Sequence, residues 1–255
     1  MVFIYVNNNW LTTTNHTVSS SEIPSSFDGY RIVQVSDLHD ATFGENQQRL
    51  VGKIKQTKPD LIVITGDLID SHRYDLPNSL DLVKQLVNIA DVYYVTGNHE
   101  VATNDVDTIK RELKALGVHV LSNETLSLNQ GNATIALTGI EDPLIGQIAS
   151  EMLAQADIPS EVFTLLLAHR PEDFQSYVES VIDITFSGHA HGGQFRIPFV
   201  GGLIAPGQGV FPAYTAGLHE QEQSKLVISR GLGNSIIPVR LFNLPEIVVV
   251  TLKSI

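Results

Sequence analysis

The chain has 255 residues, 43% hydrophobic and 17% charged, enough to bury the core of one large domain. It has no cysteine, which excludes disulfides and thiolate metal sites, so any metal must be held by His, Asp, Glu or Asn. A formal net charge of −12 argues against general affinity for nucleic acid or for an anionic membrane face.

The opening MVFIYVNNNW carries a short apolar run without a basic flank, so it is not a complete signal peptide. No stretch reaches the ~18 apolar residues of a membrane helix. The polar, Ser/Thr-rich LTTTNHTVSSSEIPSS then reads as a tether, so residues 1–27 are expected to form an N-terminal arm. From Tyr30 strands alternate with helices. RIVQVS is a short β-branched run, and QQRLVGKIKQTK has helical spacing at Leu50, Ile54 and Thr57. DLIVITG is a second strand stopped by glycine, and NSLDLVKQLVNIA places Leu82, Leu86 and Ile89 on one helix face. DVYYVTGN is a third strand, DVDTIKRELKALG a helix closed by Gly117, and VHVLS another strand.

This alternation implies an α/β sheet with crossover helices. The second half differs. TLSLNQGNATIALTGI reads as a hairpin about Gln130-Gly131-Asn132, and VFTLLLAH and IDITFSGHAH are buried strands flanking a helix in PEDFQSYVES. KLVISRG and EIVVVTLKSI are strands with no clear helix between them. The expectation is a mixed sheet or two packed sheets in one domain over residues 28–255.

Polar residues gather at the strand ends. Asp37 and His39 follow the first strand, Asp67 and Asp70 the second, and Asn98 and His99 the third. His169 follows VFTLLLA, and His189 and His191 follow IDITFS. Taken singly, each fragment is an ordinary cap, turn or core histidine. Jointly, five strands deliver an oxygen or imidazole donor at the end where open α/β sheets build their sites. Asp37, His39, Asp67, Asn98, His169, His189 and His191 are too many ligands for one ion with an open position. Two ions about 3.5–4 Å apart, sharing a carboxylate, fit better. Mixed carboxylate and imidazole donors suit Mn, Fe or Zn rather than Ca. Gly192 and Gly193 allow a tight turn beside the bound rings. Two dications against two carboxylates leave a local positive charge that attracts phosphate into an acidic protein.

The motifs Asp37-Leu38-His39, Gly66-Asp67-Leu68-Ile69-Asp70, Gly97-Asn98-His99-Glu100, His169 and Gly188-His189-Ala190-His191 together resemble the signature of the calcineurin-like metallophosphoesterases. FDGYRIVQVSDLH, LLLAHRPE, GHAHGGQFRIP and SRGLGNSIIPVRLFNLPEI extend the resemblance to a bacterial branch of phosphohydrolases that is often membrane-associated. The resemblance implies a four-layer α/β/β/α sandwich of two mixed sheets with flanking helices. It implies that Asp37, His39 and His191 hold one metal, that Asn98, His169 and His189 hold the other, and that Asp67 bridges. His99 would face the substrate as an acid, with Asp70 orienting its ring. The implied reaction is in-line attack on a phosphate ester or anhydride by a hydroxide between the metals. A catalytically idle scaffold on the same fold is the alternative. Within hydrolases, the alternative is a pyrophosphatase acting on a nucleotide-sugar or lipid-linked substrate. Relatives carry an export signal or anchoring helix where this chain has its arm. The chain therefore reads as soluble as it stands, as membrane-associated or extracytoplasmic where such a segment precedes it, and otherwise as cytoplasmic.

Phe195–Gly217 is Gly- and Pro-rich, with Phe195, Phe199, Phe211 and Tyr214. Long loops in compact domains are often functional, and this one either covers a sheet edge, shapes the pocket or makes peripheral contact with lipid. Arg170 reads as an ion-pair partner of Glu172 or Asp173, ahead of a phosphate clamp. His72 reads as a solvated loop residue, and His16, His119 and His219 as surface residues.

Overall fold

The runs RIVQV and LIVIT are buried along almost their whole length, as strands covered on both faces must be. In the computed structural model, which describes residues 2–234 and 237–255, they lie at the centre of the first of two sheets. The chain begins with α1 (Val2–Asn9), β1 (Thr12–Ser20), β2 (Arg31–Val35), α2 (Gln48–Thr57), β3 (Leu61–Thr65), α3 (Leu76–Leu86) and β4 (Asp91–Val95). It continues with α4 (Asn98–Ala102), α5 (Val106–Ala115), β5 (His119–Val120), β6 (Glu124–Gln130), β7 (Ala133–Gly139), α6 (Ala149–Gln155), β8 (Thr164–Leu167) and α7 (Phe174–Glu179). It ends with β9 (Ile184–Ser187), β10 (Arg196–Ile197), β11 (Gly201–Gly202), β12 (Ile204–Ala205), β13 (Gly209–Val210), β14 (Gly217–Gln221), β15 (Ser224–Ile228) and β16 (Glu246–Ser254).

Two six-stranded sheets result, ordered β1-β16-β2-β3-β4-β5 and β14-β15-β9-β8-β7-β6. Both are mixed. β2, β3, β4 and β5 run parallel with β16 antiparallel beside β2, and β7, β8, β9 and β15 run parallel with antiparallel β6 and β14 at the edges. The period of two along each strand builds the layers. Ile32 and Val63 point inward to meet Leu165 and Phe186 of the second sheet. Val33 and Ile64 point outward beneath Leu50 and Ile54 of α2 and Leu82 and Leu86 of α3. On the far side, Leu166 and Ile228 pack under Met152 of α6 and Tyr177 of α7. Helix, sheet, sheet and helix are thus stacked, as the resemblance implied.

Three local expectations change. Residues 12–20 are no irregular tether: β1 pairs in parallel with β16 over nine residues, from Thr12 opposite Glu246 to Ser20 opposite Ser254. It looks polar in sequence because, at an edge, only Val18 is fully buried, while its threonines still favour an extended chain. A short helix, α1, precedes it. VHVLS contributes only the two residues of β5. The segment after His191 forms two short hairpins, β10–β11 and β12–β13.

Candidate metal centre

Strands β2, β3 and β4 of one sheet and β8 and β9 of the other end at the same rim, and each leads directly into its polar motif. Asp37, His39, Asp67, His189 and His191 all have positive φ, between 46° and 63°. L-residues adopt that conformation at a cost, and such strain collects at functional sites. Here it accompanies the inward turn of five of the seven candidate ligand positions at the strand ends. Gly192 and Gly193 also have positive φ and supply the tight turn after His191.

The donor atoms form two groups. In the first, atoms of Asp37, His39, Asp67 and His191 all lie within 4.8 Å of one another. In the second, Asp67, His169 and His189 do the same. Asp67 belongs to both. Its Oδ2 lies 3.6 Å from His39 Nε2 and 3.3 Å from His169 Nε2. His191 Nε2 is 3.5 Å from Asp37 Oδ1. His169 Nε2 is 3.2 Å from both His189 Nδ1 and Asn98 Oδ1, which brings Asn98 to the second group. All seven anticipated metal ligands therefore converge, six of them buried and Asn98 half-buried.

Divalent cations suit this donor set. Nε2 of His39 and Nε2 of His191 stand 3.0 Å apart. Burial lowers His39 to about 3, and burial also holds His191 well below its ordinary value, so both rings are neutral. One proton at most can lie between two such nitrogens, whereas a cation accepts both lone pairs. Asp37 Oδ2, His39 Nδ1 and His189 Nε2 are buried without a hydrogen-bond partner among the described residues. Burial drives the Asp37 carboxyl up to about 6, with Asp67 adding to the rise. Burial would raise Asp67 too, but the imidazoles, His169 foremost, hold it well below the usual range. His169 shows the counterpart: burial lowers it, the Asp67 charge outweighs that, and it rises to about 10. Asp67 thus draws positive charge from both sides.

His99 sits at the mouth, 7% exposed, its ring edge-on to His39 with centroids 4.4 Å apart. Its backbone N–H donates to Asp67 Oδ1 at 2.8 Å, which ties it to the shared carboxylate. The ring's Nδ1 accepts from Ser71 N–H at 3.0 Å and lies 3.1 Å from Ser71 Oγ. Asp70, expected to orient this ring, is 3.7 Å from Nδ1, beyond hydrogen-bond range. Its carboxylate instead accepts from Arg73 and from the backbone N–H of His72. Asp70 therefore shapes the turn that presents Ser71.

Several supporting residues carried little signal. Glu100 is fully buried and accepts backbone N–H bonds from Gly97, Asp67, Leu68 and Ile69, at 2.7, 2.9, 2.7 and 3.2 Å. Its place three residues after the Gly97 cap was the available clue. Glu172 Oε1 lies 3.6 Å from His189 Nε2. Buried Arg240 reaches within 3.4 Å of His191 Nδ1, and Asn243 donates to His191 O at 2.7 Å. Arg170 does pair, but chiefly with Asp142, through bonds of 2.8 and 2.9 Å, while Glu172 is 3.6 Å away. His72 and His119 are exposed, and His16 and His219 are half-buried away from the centre.

The family described as calcineurin-like phosphoesterase matches residues 30–193. Metallophosphoesterase YkuE of Bacillus subtilis (strain 168) is 34% identical over 98% of this chain and 88% of its own length. Phosphodiesterase YaeI of Escherichia coli (strain K12) is 30% identical over 88% of this chain and 82% of its own. Among solved structures, phosphopantetheinyl hydrolase of Mycobacterium tuberculosis shares the fold at a TM-score of 0.50 and 10% identity, over 81% of this chain and 91% of its own.

Proposed function

Because this chain belongs to the calcineurin-like phosphoesterase family, and so is a metal-dependent phosphoesterase, we propose that it hydrolyses a phosphate ester or anhydride at a two-cation centre bridged by Asp67. The observation that carries this reading is the pair of donor groups that share one carboxylate. Asp37, His39 and His191 would hold one ion, and Asn98, His169 and His189 the other. Mn, Fe or Zn fits their mixed oxygen and nitrogen donors. Bound there, two such ions supply Lewis acidity toward phosphoryl oxygens and acidify water.

The chain's own residues do the rest. The Ser71 N–H fills the Nδ1 lone pair of His99, so the neutral ring carries its proton on Nε2. As an imidazolium, with Ser71 Oγ 3.1 Å from Nδ1 to accept the second N–H, His99 would give its Nε2 proton to the departing oxygen and return to a neutral ring, and Asp70 acts at one remove by holding the turn that carries Ser71. Asp67 accepts the backbone N–H of His99 and would be shared by both ions, so the same carboxylate positions the acid beside the cation sites. The strand ends bring these groups together before substrate arrives, which is the preorganisation that electrostatic catalysis needs.

An apolar groove of about 440 Å³ runs from His191 and Gln194 between Ile204, Ala205, Pro206 and Ile237. It favours a substrate with an apolar arm, such as a lipid-linked phosphate or pyrophosphate, over a nucleotide-sugar. The test is metal counting together with turnover of aryl phosphate mono- and diesters and of a pyrophosphate, with added Mn²⁺. His99→Ala should keep both ions and lose about 10²–10⁴ in kcat. Asp67→Asn should lose the ions themselves. Two bound ions with no turnover of any of these substrates would leave only the idle-scaffold reading.

A further inference from the structure

Residues 1–21, 184–219 and 223–245 contain no Asp or Glu, in a chain with 28 of them. The fold gathers the exposed parts of these three stretches beside the mouth of the metal centre. Phe3 of α1 packs edge-on against Phe242, with ring centroids 5.2 Å apart. Phe242 in turn shares a surface groove with Ile197, Phe199 and Val200 of the β10–β11 hairpin. Arg196 N–H donates to Leu241 O at 3.0 Å and locks the two segments together. Ile237, just before them, lines the apolar groove that opens at His191.

Three phenylalanines are hard to explain within the chain: Phe199 and Phe242 in the surface groove, and Phe211 just after the β12–β13 hairpin, its N–H donating to Leu203 O at 2.9 Å. Phe199 is fully exposed, and Phe211 and Phe242 are 63% and 58% exposed. All three have positive φ, at 68°, 51° and 52°. A bulky residue in that conformation is a genuine outlier where a turn would suit Gly or Asn. Each ring therefore brings backbone strain and gains little burial in return. A surrounding that takes up protruding aromatic rings and presents no need for carboxylates would reverse that balance. The headgroup layer of a bilayer does so, because it accepts aromatic rings and apolar hairpin tips at shallow depth. Three stretches that carry no carboxylate limit both carboxylate desolvation and repulsion from lipid phosphates, and Glu172, which lies against Gly207 of the β12–β13 hairpin, is half-buried. Among the described residues no helix is long and apolar enough to cross a membrane, so this contact lies on the surface.

We propose that this face docks on a zwitterionic bilayer, with Phe199, Phe211 and Phe242 as anchors and the catalytic mouth turned to the lipid. The docking stands on the exposed face and does not rest on the phosphoester reading, though together they put a lipid-borne phosphate within reach. Trp10 is the only tryptophan, so energy transfer from it to dansyl-labelled phosphatidylcholine vesicles reports association. The full chain should bind these vesicles. Replacing all three phenylalanines with serine should weaken partitioning roughly tenfold for each ring removed. Melting and turnover of a soluble aryl phosphate should stay unchanged in that variant. Added anionic lipid should weaken binding at low salt, given the net charge of −12. No vesicle binding by the parent chain overturns the proposal, and so does binding only to anionic vesicles. A dimer that the triple variant splits, without vesicle binding, overturns it in favour of a second copy. Vesicle binding without hydrolysis of any phosphoester would sink the catalytic reading alone.

Discussion

Arg170 lies beside a metal-centre histidine, where a guanidinium that clamps phosphate would be expected, yet both of its short bonds go to Asp142. Asp142 has no exposed surface and its own N–H donates to Thr96 Oγ1 at 3.1 Å, two residues before Asn98. The pair therefore braces the loop after β8 against the loop after β4. Burial alone would lower the Arg170 pKa, but its bonds and attraction to Asp142 outweigh that and raise it. Arg170→Ala strands a buried carboxylate that, among the described residues, keeps the bond it accepts from Leu144 N–H at 2.9 Å. Removing one partner of a buried pair costs about 3–5 kcal/mol. The Arg170 side chain is 21% exposed, so we take about 2–4 kcal/mol after solvent screening. For a chain of this size that is a fall in Tm of roughly 4–16 °C. Arg170→Ala with Asp142→Ala should cost less than the two single changes added together, because the stranded charge is gone. KM for an aryl phosphate should move less than about threefold, well under the roughly tenfold that losing 1.4 kcal/mol of binding would give. Thermal melts of the four proteins, with steady-state kinetics, decide the matter. Unshifted melting with a large rise in KM would return Arg170 to the substrate and refute the brace.

Other perturbations test the same architecture. A Cβ on Gly188 would run into Ser36 Oγ and the Asp37 carboxylate, so Gly188→Ala should destabilise by about 1–3 kcal/mol and lower metal content, read by melting and elemental analysis. Burial, followed by the neighbouring Glu22, pushes the half-buried Asp183 up to about 6. A carboxyl raised in the folded state adds stability below its unfolded pKa and loses it as pH climbs through 6. Asp183→Asn keeps an acceptor for Thr164 N–H, so it should gain under about 1 kcal/mol at pH 8 and nothing at pH 3.5, by urea titration. Stripping the cations with a chelator should lower Tm and restore it on readdition, since a ligand at a hundred times its Kd stabilises by about 2.7 kcal/mol. A chelated protein that melts unchanged would argue against bound ions.

The seven candidate ligands were legible because each follows one of five strands within a few residues, so that local sequence carries the pattern. The parallel strands then bring the motifs together with little further instruction. What supports them was not legible, because it depends on contacts far apart in the chain. Arg170 and Asp142 are 28 residues apart, and Arg240 and His191 are 49 apart. Nothing around Arg240 marks it as buried, and only the folded chain places it behind a ligand. The N-terminal strand was missed for a related reason. Its partner is the C-terminal strand, more than 230 residues away at Thr12 and Glu246, and an edge position leaves most of its side chains polar. Asp70 fell between the two cases: the motif located it correctly, but its bond to the ring passes to Ser71, which no spacing rule distinguishes from a bystander.

Backbone strain links the centre to the exposed aromatic face proposed to meet lipid. Asp, Asn and His enter the left-handed region more readily than most residues, so the ligand conformations carry a moderate cost that bound cations can offset. Phe enters it far less readily, and no cation waits for Phe199, Phe211 or Phe242. In both places the chain holds side chains in positions that its own packing does not reward. At the rim of the strands the missing partner is charged, because buried lone pairs converge there. On the hairpins it is apolar, because rings protrude there and carboxylates are absent. The groove between Ile204 and Ile237 connects the two, so a single substrate with a phosphate head and an apolar body would meet both requirements at once.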